Sequence, residues 1–520
     1  MTKRTVSRVM CRGWAGAALL LGAVLGAGEA RADYNIKATE AANTSLVTDG
    51  RCNLAEAIDS LNNGRTAPGS GLYGCVNVGG GTVIFLEGTG AHYRLGSGVA
   101  IRVNGVEIRS KVNGRDFIES SAGGQVLTVN AGASLTFIGV TIQHTGTAFA
   151  RVLENQGILG LINCVVQNGN VQTAGGGIYN NGTLTLSGST VTNNKAGLNG
   201  GGIFSSGYNG VYLGSTTVSN NTTGAGGEGG AGIYGIGSSI SLVQSRVTGN
   251  KSSTNAGGVY SNDTAVFAYQ STISTNTAGF DGGGFYHAAG FQELNLTEST
   301  VENNKATGNG GGVYSVSVSG MYFDGSTISN NTARLNGGGI YSSSRCLGMR
   351  STISTNTAQG NGGGVYSIPG DNHYLEVAFV TIGYNKAASG AGVYITHANT
   401  QTRASIVAKN QLPNGTFEDY RGNPHARDLD NPRTFRSVFG TINGTTNVFP
   451  GPDGDIVGLS NILPLANNGG PTKTHEIPAN SSALNKFVPD DIDLPCPATD
   501  QRGRPRPVGA ACDLGSYERQ

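Results

Sequence analysis

Three side chains near the C-terminal end of a repetitive region are the best candidates in the sequence for acid–base chemistry: Asp371, His373 and His397. A carboxylate and imidazoles can act as the general acid and base with which enzymes cleave polysaccharides. His373 and His397 are 24 residues apart, close to one repeat, so they could face each other on adjacent coils. A solvated turn explains the same residues equally well.

Nine aromatic residues form a second candidate surface, because each follows glycines and one apolar residue at a mean spacing near 27 residues. If the repeats stack, the rings form one outward column at the ~4.8 Å spacing of adjacent strands, and a sugar unit in a chain spans a similar length. The column could therefore bind polysaccharide; the alternative is that the rings only stabilise the stack. The nine residues are Tyr179, Phe204, Tyr234, Tyr260, Tyr286, Tyr314, Tyr341, Tyr366 and Tyr394.

A second phrase, Ser/Thr-Thr-Val/Ile-x-x-Asn, recurs between the aromatic residues, and a weaker alternating run such as Leu184-Thr185-Leu186 lies between the two. Three short alternating runs per period, separated by Gly, Asn and Ser, are strands and not helices. The sequence therefore predicts an all-β fold: a right-handed, single-stranded parallel β-helix with three short strands in each ~27-residue coil.

The alternation also assigns residues to faces of the strands. The aliphatic position before each aromatic residue, such as Ile178 or Ile203, is predicted to fill the interior, as is Val191 with its copies. The aromatic residues then point outward. Asn194 and its copies are expected to take the left-handed conformation and to bond their amides along the stack.

Four regions are expected along the chain. Residues 1–32 have the basic start, the apolar run Trp14 to Ala27 and the Ala-Arg-Ala site of a secretory signal peptide, cleaved before Asp33. Residues 33–80 form an N-terminal cap with a helix over Leu54 to Leu61, residues 81–410 form the β-helix, and residues 411–520 form a proline-rich C-terminal cap. We expect no membrane span after cleavage.

Six cysteines remain after cleavage, which suits an oxidising compartment. Proximity pairs Cys52 with Cys75 and Cys496 with Cys512. Cys164 and Cys346 lie about 6.7 coils apart, or ~32 Å at the spacing of stacked strands, so they are predicted to be buried thiols.

Charge and motifs exclude several classes of protein. A net charge of +1 with 13% charged residues gives no footprint for nucleic acid. The glycine runs open strands and are not phosphate loops, and we expect no cofactor. Asp453 and Asp455 could hold a structural calcium ion, although the full twelve-residue loop is missing. Arg502, Arg504 and Arg506 with nearby acids could form an anion or metal site, but we interpret them as a salt-bridged cap around Cys496 and Cys512.

Threonine and serine alternate on one predicted strand of several coils and form a flat hydroxyl grid, as in ice-binding β-helices. Arg246, Glu302 and Gly383 interrupt this grid, and an ordinary threonine-rich outer strand also accounts for it. Its members are Thr190, Thr192, Thr217, Ser219, Thr272, Ser274, Thr327, Ser329, Thr352 and Ser354.

The two ends and the middle resemble known bacterial sequences. Asp49 to Ile58 resembles the N-terminal CSLREA domain, with Asn53 and Ala55 in place of Ser and Arg. Asn468 to His475, Cys496 to Gly503 and Cys512 to Glu518 resemble the choice-of-anchor Q domain. The middle resembles the Gly-Gly-x-Ile repeats of polymorphic outer-membrane proteins, whose C-terminal barrel the proline-rich residues 411–520 are not expected to supply.

The resemblance implies an exported β-helix and no established catalytic residues. We therefore expect a protein of the cell surface or medium, with the periplasm as the alternative, that binds polysaccharide or another cell-envelope partner without enzymatic activity. A lyase or hydrolase of an acidic polymer is the main alternative, and an ice-binding array is a minor one. The oligomeric state stays open.

Overall fold

The computed structural model describes residues 34–36, 46, 49–67, 69–78, 81–111, 116–207, 209–288, 290–368, 374–396, 400–422, 437–443, 454–458, 461–487 and 495–520. The predicted signal peptide lies outside these residues.

The chain forms a parallel β-helix, as predicted, because each strand pairs in parallel with its copies in the coils before and after. One coil contains Ile178–Asn180, Thr183–Ser187 and Thr190–Thr192 in three different sheets, followed by a fourth strand of two residues, Lys195–Ala196. We name the three sheets C, A and B in that order.

Within the described residues, sheet A has fourteen strands. They are Tyr34–Ile36, Val83–Leu86, Val106–Ser110, Ser134–Ile138, Ile158–Ile162, Thr183–Ser187, Val211–Gly214, Ser239–Val243, Ala265–Tyr269, Leu294–Thr297, Met321–Asp324, Cys346–Met349, Leu375–Ala378 and Thr400–Arg403.

Sheet B has fifteen strands in the part of the chain that the structure describes. They are His92–Arg94, Asp116–Ser120, Val140–His144, Val165–Gln167, Thr190–Thr192, Thr217–Ser219, Arg246–Thr248, Thr272–Ser274, Thr300–Glu302, Thr327–Ser329, Thr352–Ser354, Thr381–Gly383, Ile406–Ala408, Val438–Phe439 and Ile456–Val457.

Sheet C contains two kinds of strand: those that carry the aromatic residues or are aligned with them in other coils and, across a glycine turn, short strands such as Lys195–Ala196. The first kind are Ala100–Ile101, Gly124–Val129, Ala150–Asn155, Ile178–Asn180, Ile203–Ser206, Ile233–Ile236, Val259–Asn262, Phe285–His287, Val313–Ser315, Ile340–Ser342, Val365–Ser367, Val393–Ile395, Tyr420–Arg421 and Ile442–Asn443. The second kind are Asn170–Val171, Lys195–Ala196, Thr222–Thr223, Lys251–Ser252, Thr277–Ala278, Lys305–Ala306, Thr332–Ala333 and Thr357–Ala358.

The interior is a continuous apolar column, as the alternation predicted. Ile178, Ile203, Val191 and Val218 are fully buried in it, together with their copies in the other coils. Parallel strands in register place like residues above one another, so apolar side chains stack on apolar side chains from coil to coil. Cys164 and Cys346 are buried free thiols, and burial raises their pKa to about 11 and about 12.

The N-terminal end of this column is covered by the helix Leu54–Asn62, which we call α1. Asn53 caps it, because its side chain accepts a hydrogen bond from the backbone N–H of Glu56 and the Glu56 carboxylate accepts one from the Asn53 N–H. Leu54 and Ile58 are buried against the end of the core. A disulfide joins Cys52 to Cys75 beside α1.

Parallel pairing extends past the expected end of the β-helix near residue 410. Tyr420–Arg421 and Val438–Phe439 add further strands, and Ile456–Val457 pairs on Val438–Phe439. Prolines in the connecting segments are compatible with these strands, because the strands themselves contain none. Residues 461–487 and 495–520, which we call the C-terminal segment, then turn back along the outside of sheet B. They include the antiparallel pair Leu465–Ala466 and Thr474–His475 and the disulfide Cys496–Cys512. Among the described residues no helix is long and apolar enough to cross a membrane.

Candidate functional site

The nine aromatic side chains lie in one continuous stack on the outside of sheet C. Ring centroids of successive members are 4.7–5.5 Å apart and their planes differ by 8–23°. The guanidinium of Arg151 lies over the Tyr179 ring at 4.5 Å, and that of Arg421 lies over the Tyr394 ring at 5.9 Å. A cation therefore covers each end of the stack, where a ring would otherwise expose its electron-rich face.

The glycine turn before each ring makes this stack possible. Gly310 has a φ of +63°, and a Cβ there would lie 2.8 Å from the Cβ of Tyr314. Glycine supplies both the left-handed backbone and the space for the ring.

The rings are less exposed than the outward assignment implied. Tyr234 and Tyr260 are only 3% and 5% exposed, and Ala256 and Ala288 pack beside them. Because each ring is sandwiched between its neighbours, a ligand would meet ring edges and hydroxyls and not ring faces. Sugars stack on faces, so this arrangement favours a stabilising role for the column.

Carboxylates border the aromatic stack. The Tyr234 hydroxyl donates to Glu228, and burial, reinforced by Glu228, raises the pKa of Tyr234 and Tyr260. Asp281 accepts hydrogen bonds from the Asn309 backbone at 2.6 Å and from its amide at 3.1 Å. These acids hold the turns together and do not form a pair that could act as acid and base.

A buried row of asparagines runs parallel to the stack. Each amide donates to the amide oxygen of the next Asn at 2.9–3.0 Å, as the sequence predicted. The members are Asn194, Asn221, Asn250, Asn276, Asn304, Asn331, Asn356, Asn385 and Asn410. Asp419 ends the row by accepting from the backbone and the amide of Asn410. The last asparagine of the row needs only an acceptor for its N–H groups, and a carboxylate supplies one. Burial raises the pKa of Asp419 to about 6.

The predicted left-handed conformation of these asparagines is wrong by one residue. The positive φ belongs to the preceding position, for example Asn193 at 57°, Asn303 at 58° and Thr355 at 57°. The chain turns at the residue before each buried Asn. This turn directs the Asn side chain inward, where its amide bonds to the Asn of the next coil.

At another corner of the coil, a row of serine and threonine hydroxyls accepts hydrogen bonds from backbone N–H groups. For example, the Ser299 hydroxyl accepts from the Ser271 N–H, and the Ser326 hydroxyl accepts from the Ser299 N–H. Asp455 ends this row by accepting from the Ser437 N–H at 3.0 Å. Asp453, its predicted partner in a calcium loop, lies outside the described residues.

The C-terminal segment covers two of the five coils that form the hydroxyl grid on sheet B. Thr352 donates to the Gln501 amide oxygen at 2.6 Å, Thr327 donates to the Lys473 carbonyl at 2.6 Å, and the Ser516 hydroxyl contacts that of Thr381 at 3.1 Å. Thr327, Ser329, Thr352 and Ser354 are consequently buried, while Thr190 and Thr217 stay half-exposed. An ice-binding surface would be restricted to the uncovered coils.

His475 lies at the centre of this contact. Its Nε2 is 2.8 Å from the Ser354 hydroxyl, its Nδ1 is 2.6 Å from the Leu463 carbonyl, and its ring stacks on Tyr384. Burial lowers the pKa of His475 to about 4, and the Lys409 cation contributes to the shift.

We expect acid to loosen the C-terminal segment. A histidine with an ordinary pKa near 6.5 takes up a proton in the unfolded chain, whereas folded His475 resists it down to about pH 4. Stability is therefore complete above pH 6.5 and falls as the pH drops from 6.5 to 4, by about 3 kcal/mol for this residue. Thermal unfolding measured across that range should show the loss.

The variant H475Q should be less stable at pH 7 and should show a shallower decline. Buried His287 has a pKa lowered to about 4 as well and contributes in the same window. The control H287S copies the serines paired with it, Ser261 and Ser315, and should keep the contribution of His475. An unchanged decline in H475Q would contradict this role.

The C-terminal charges pair with one another, as predicted for a salt-bridged cap. Arg502 binds Asp500 at 2.7 Å and Arg506 binds Glu518 at 3.1 Å, all buried. Arg502 also lies over the Tyr517 ring at 3.6 Å. Within the part of the chain that the structure describes, no group of three or more His, Cys, Asp or Glu side chains could hold a metal ion. Asp371, His373 and His397 lie outside that part.

Two stretches of the chain, residues 298–316 and 325–343, match the Chlamydia polymorphic membrane protein (Chlamydia_PMP) repeat. Each runs from the start of an Asn phrase through the glycine turn to just past the stacked tyrosine, so the matched sequence is the unit that builds the asparagine row and the ring stack. The resemblance of the two terminal regions to CSLREA and choice-of-anchor Q domains stays a prediction.

No curated protein matches the chain. Among solved structures, the one titled "Crystal structure of pectate lyase Pel9A" is similar, with 15% sequence identity and a TM-score of 0.30, over 85% of this chain and 88% of that chain. The parallel β-helix described above stands on its own strand pairing.

A second set of aromatic residues, on sheet A, was not predicted from the sequence. Tyr212, Phe267 and Tyr322 point outward from one column of this sheet, in register with Thr185, Ser241 and Asn295. The alternating run that forms sheet A is the weakest of the three phrases. Aromatic residues at its polar positions were the signal that could have revealed them.

Proposed function

We propose that the chain is an exported β-helix protein of the bacterial cell surface that binds polysaccharide or another cell-envelope component and does not transform it. The match to a repeat of polymorphic membrane proteins supports the surface location. The observation that carries the proposal is the engagement of reactive side chains within the fold. Glu228 binds a tyrosine of its own coil, and Asp281 and Asp324 bind an asparagine and an arginine of neighbouring coils.

Such pairing fixes carboxylates as structural acceptors, whereas a general acid needs a raised pKa and an open face toward the substrate. The hydroxyl grid is partly occupied by the C-terminal segment, which leaves sheet A and the edge of sheet C as long surfaces. A rod with repetitive surfaces suits a repetitive polymer, because each coil adds another copy of the same contact.

The test is to incubate the purified chain with polygalacturonate, alginate, xylan, cellulose and chitin. Retention on the polymer is measured together with two products: unsaturated uronates by ultraviolet absorbance, and new reducing ends. We expect retention without product, and none with heat-unfolded chain. Product that accumulates with time would establish the lyase or hydrolase alternative, and the absence of retention on every polymer would reject polysaccharide binding.

A further inference from the structure

We propose that Tyr212, Phe267 and Tyr322 on sheet A bind a neutral, extended polysaccharide by stacking on every second sugar unit. The inference rests on the proposed function, and it places the contact on sheet A and not on the stacked tyrosines of sheet C.

The spacing of the three rings is the first observation. Strand pairing aligns Tyr212 with Ser241, Phe267, Asn295 and Tyr322 in one column. Aromatic residues therefore occur on alternate coils, ~9.6 Å apart for coils stacked at the spacing of adjacent strands. Two sugar units of an extended chain span a similar length, so such a chain would present equivalent units to successive rings.

The ring faces are the second observation. In the sheet C stack a ring occurs on each of nine successive coils, and its faces are covered by neighbouring rings or, at the two ends, by Arg151 and Arg421. On sheet A a small polar residue separates the rings. None of Tyr212, Phe267 and Tyr322 stacks on another ring in the regions described by the structure. Phe267 is 40% exposed.

Tyr212 shows how such a ring is placed. A Cβ added to Gly214 would lie 3.2 Å from Cε1 and 3.4 Å from the hydroxyl of Tyr212. Gly214 follows two residues later on the same strand, so the ring extends along the strand over the sheet. A ring that lies on the sheet offers a face to an approaching sugar, and the glycine leaves room for it.

The charges around the column select the polymer. Glu293 and Asp263 lie at one border of the strands near Phe267, and Glu298 lies at the other, where it accepts from Gln270 at 2.8 Å. Arg350, beside Tyr322, is ion-paired with Asp324. Carboxylates accept hydrogen bonds from sugar hydroxyls and repel a polyanion. A neutral chain is therefore favoured over an acidic one.

The column itself supplies substitutions that preserve the fold, because Thr185, Ser241 and Asn295 already occupy it. The triple variant Y212T/F267S/Y322N removes all three rings. The matched control is Y286S/Y314S, which removes two rings of the sheet C stack. Binding of each full chain to cellulose, chitin, xylan and polygalacturonate is measured by depletion from solution, with thermal unfolding as the check on folding.

We expect the wild type to bind at least one of the neutral polymers, and the triple variant to bind it at least ten-fold more weakly with a similar unfolding temperature. The control should lose stability and keep binding. Equal binding by the triple variant would overturn the inference and leave the proposed function intact. Binding of polygalacturonate alone would overturn the choice of a neutral ligand. Binding of no polymer would reject this inference together with the polysaccharide part of the proposed function.

Discussion

Replacement of Asn331 by alanine is expected to destabilise the β-helix by about 4 kcal/mol. The Asn331 amide oxygen accepts from the backbone and the amide of Asn304, both at 3.0 Å. Its amide donates to Asn356 at 3.0 Å and to the Val301 carbonyl at 2.9 Å. Alanine would leave two N–H groups of Asn304 without this acceptor in a site closed to water, and each buried unpaired donor costs about 1–3 kcal/mol.

Asn336 offers a matched control for this prediction. It also bonds along the stack, accepting from the Asn361 N–H at 2.9 Å, but it lies in a partly exposed turn. Water can replace its bonds, so N336A should cost less than about 1 kcal/mol. Both variants are compared by urea and thermal unfolding. Equal losses of unfolding free energy in the two variants would show that the stabilising effect of Asn331 does not depend on its burial.

Replacement of Gly339 by alanine is expected to cost about 3 kcal/mol, as an overpacked site does. A Cβ there would lie 2.6 Å from the Gly364 carbonyl and 2.9 Å from the amide nitrogen of Asn356. The first contact is with backbone of the next coil, and the second is with a side chain fixed in the asparagine row. Neither can move without breaking coil pairing, so the strain exceeds the small gain from a less flexible unfolded chain.

A glycine with room for a side chain, Gly123, is the control. A Cβ at Gly123 would lie 3.6 Å from its nearest neighbours, the Cβ of Ala148 and the carbonyl oxygen of Phe149, whereas every coil from Gly177 to Gly392 has glycine at the position of Gly339. G123A should therefore cost clearly less than G339A in the same unfolding measurements. Equal losses would show that the close contacts of Gly339 with the next coil do not determine the cost of its replacement.

Periodic features of this fold could be predicted from the sequence, because each coil repeats the same local constraints. The interior position of Ile178 and its copies, the amide row from Asn194 and the helix α1 follow from patterns within about thirty residues. The left-handed conformation was predicted one residue too late. The Ser/Thr-Thr-Val/Ile-x-x-Asn phrase indicates where the strand ends, but not which residue of the following turn has a positive φ.

Contacts outside the repeat could not be predicted in this way. Gln501 binds Thr327 and Thr352 across about 150 to 175 residues, and no period relates these positions. The aromatic stack was recognised, but the covering of its ring faces depends on ring orientation. The rings of sheet A could not be predicted from the repeat, because Tyr212 and Phe267 lie at a position where most coils have a polar residue.

The position of the C-terminal segment on sheet B has a consequence for how such chains can change in length. In a solenoid each coil contacts only its neighbours, so whole coils can be gained or lost. Thr472, Gln501 and Ser516, however, bind Gly325, Thr352 and Thr381 on three successive coils. Loss of one of these coils would displace an anchor by ~4.8 Å. Duplication and deletion of coils are thus compatible with the rod before Thr300, and the last coils are fixed in number.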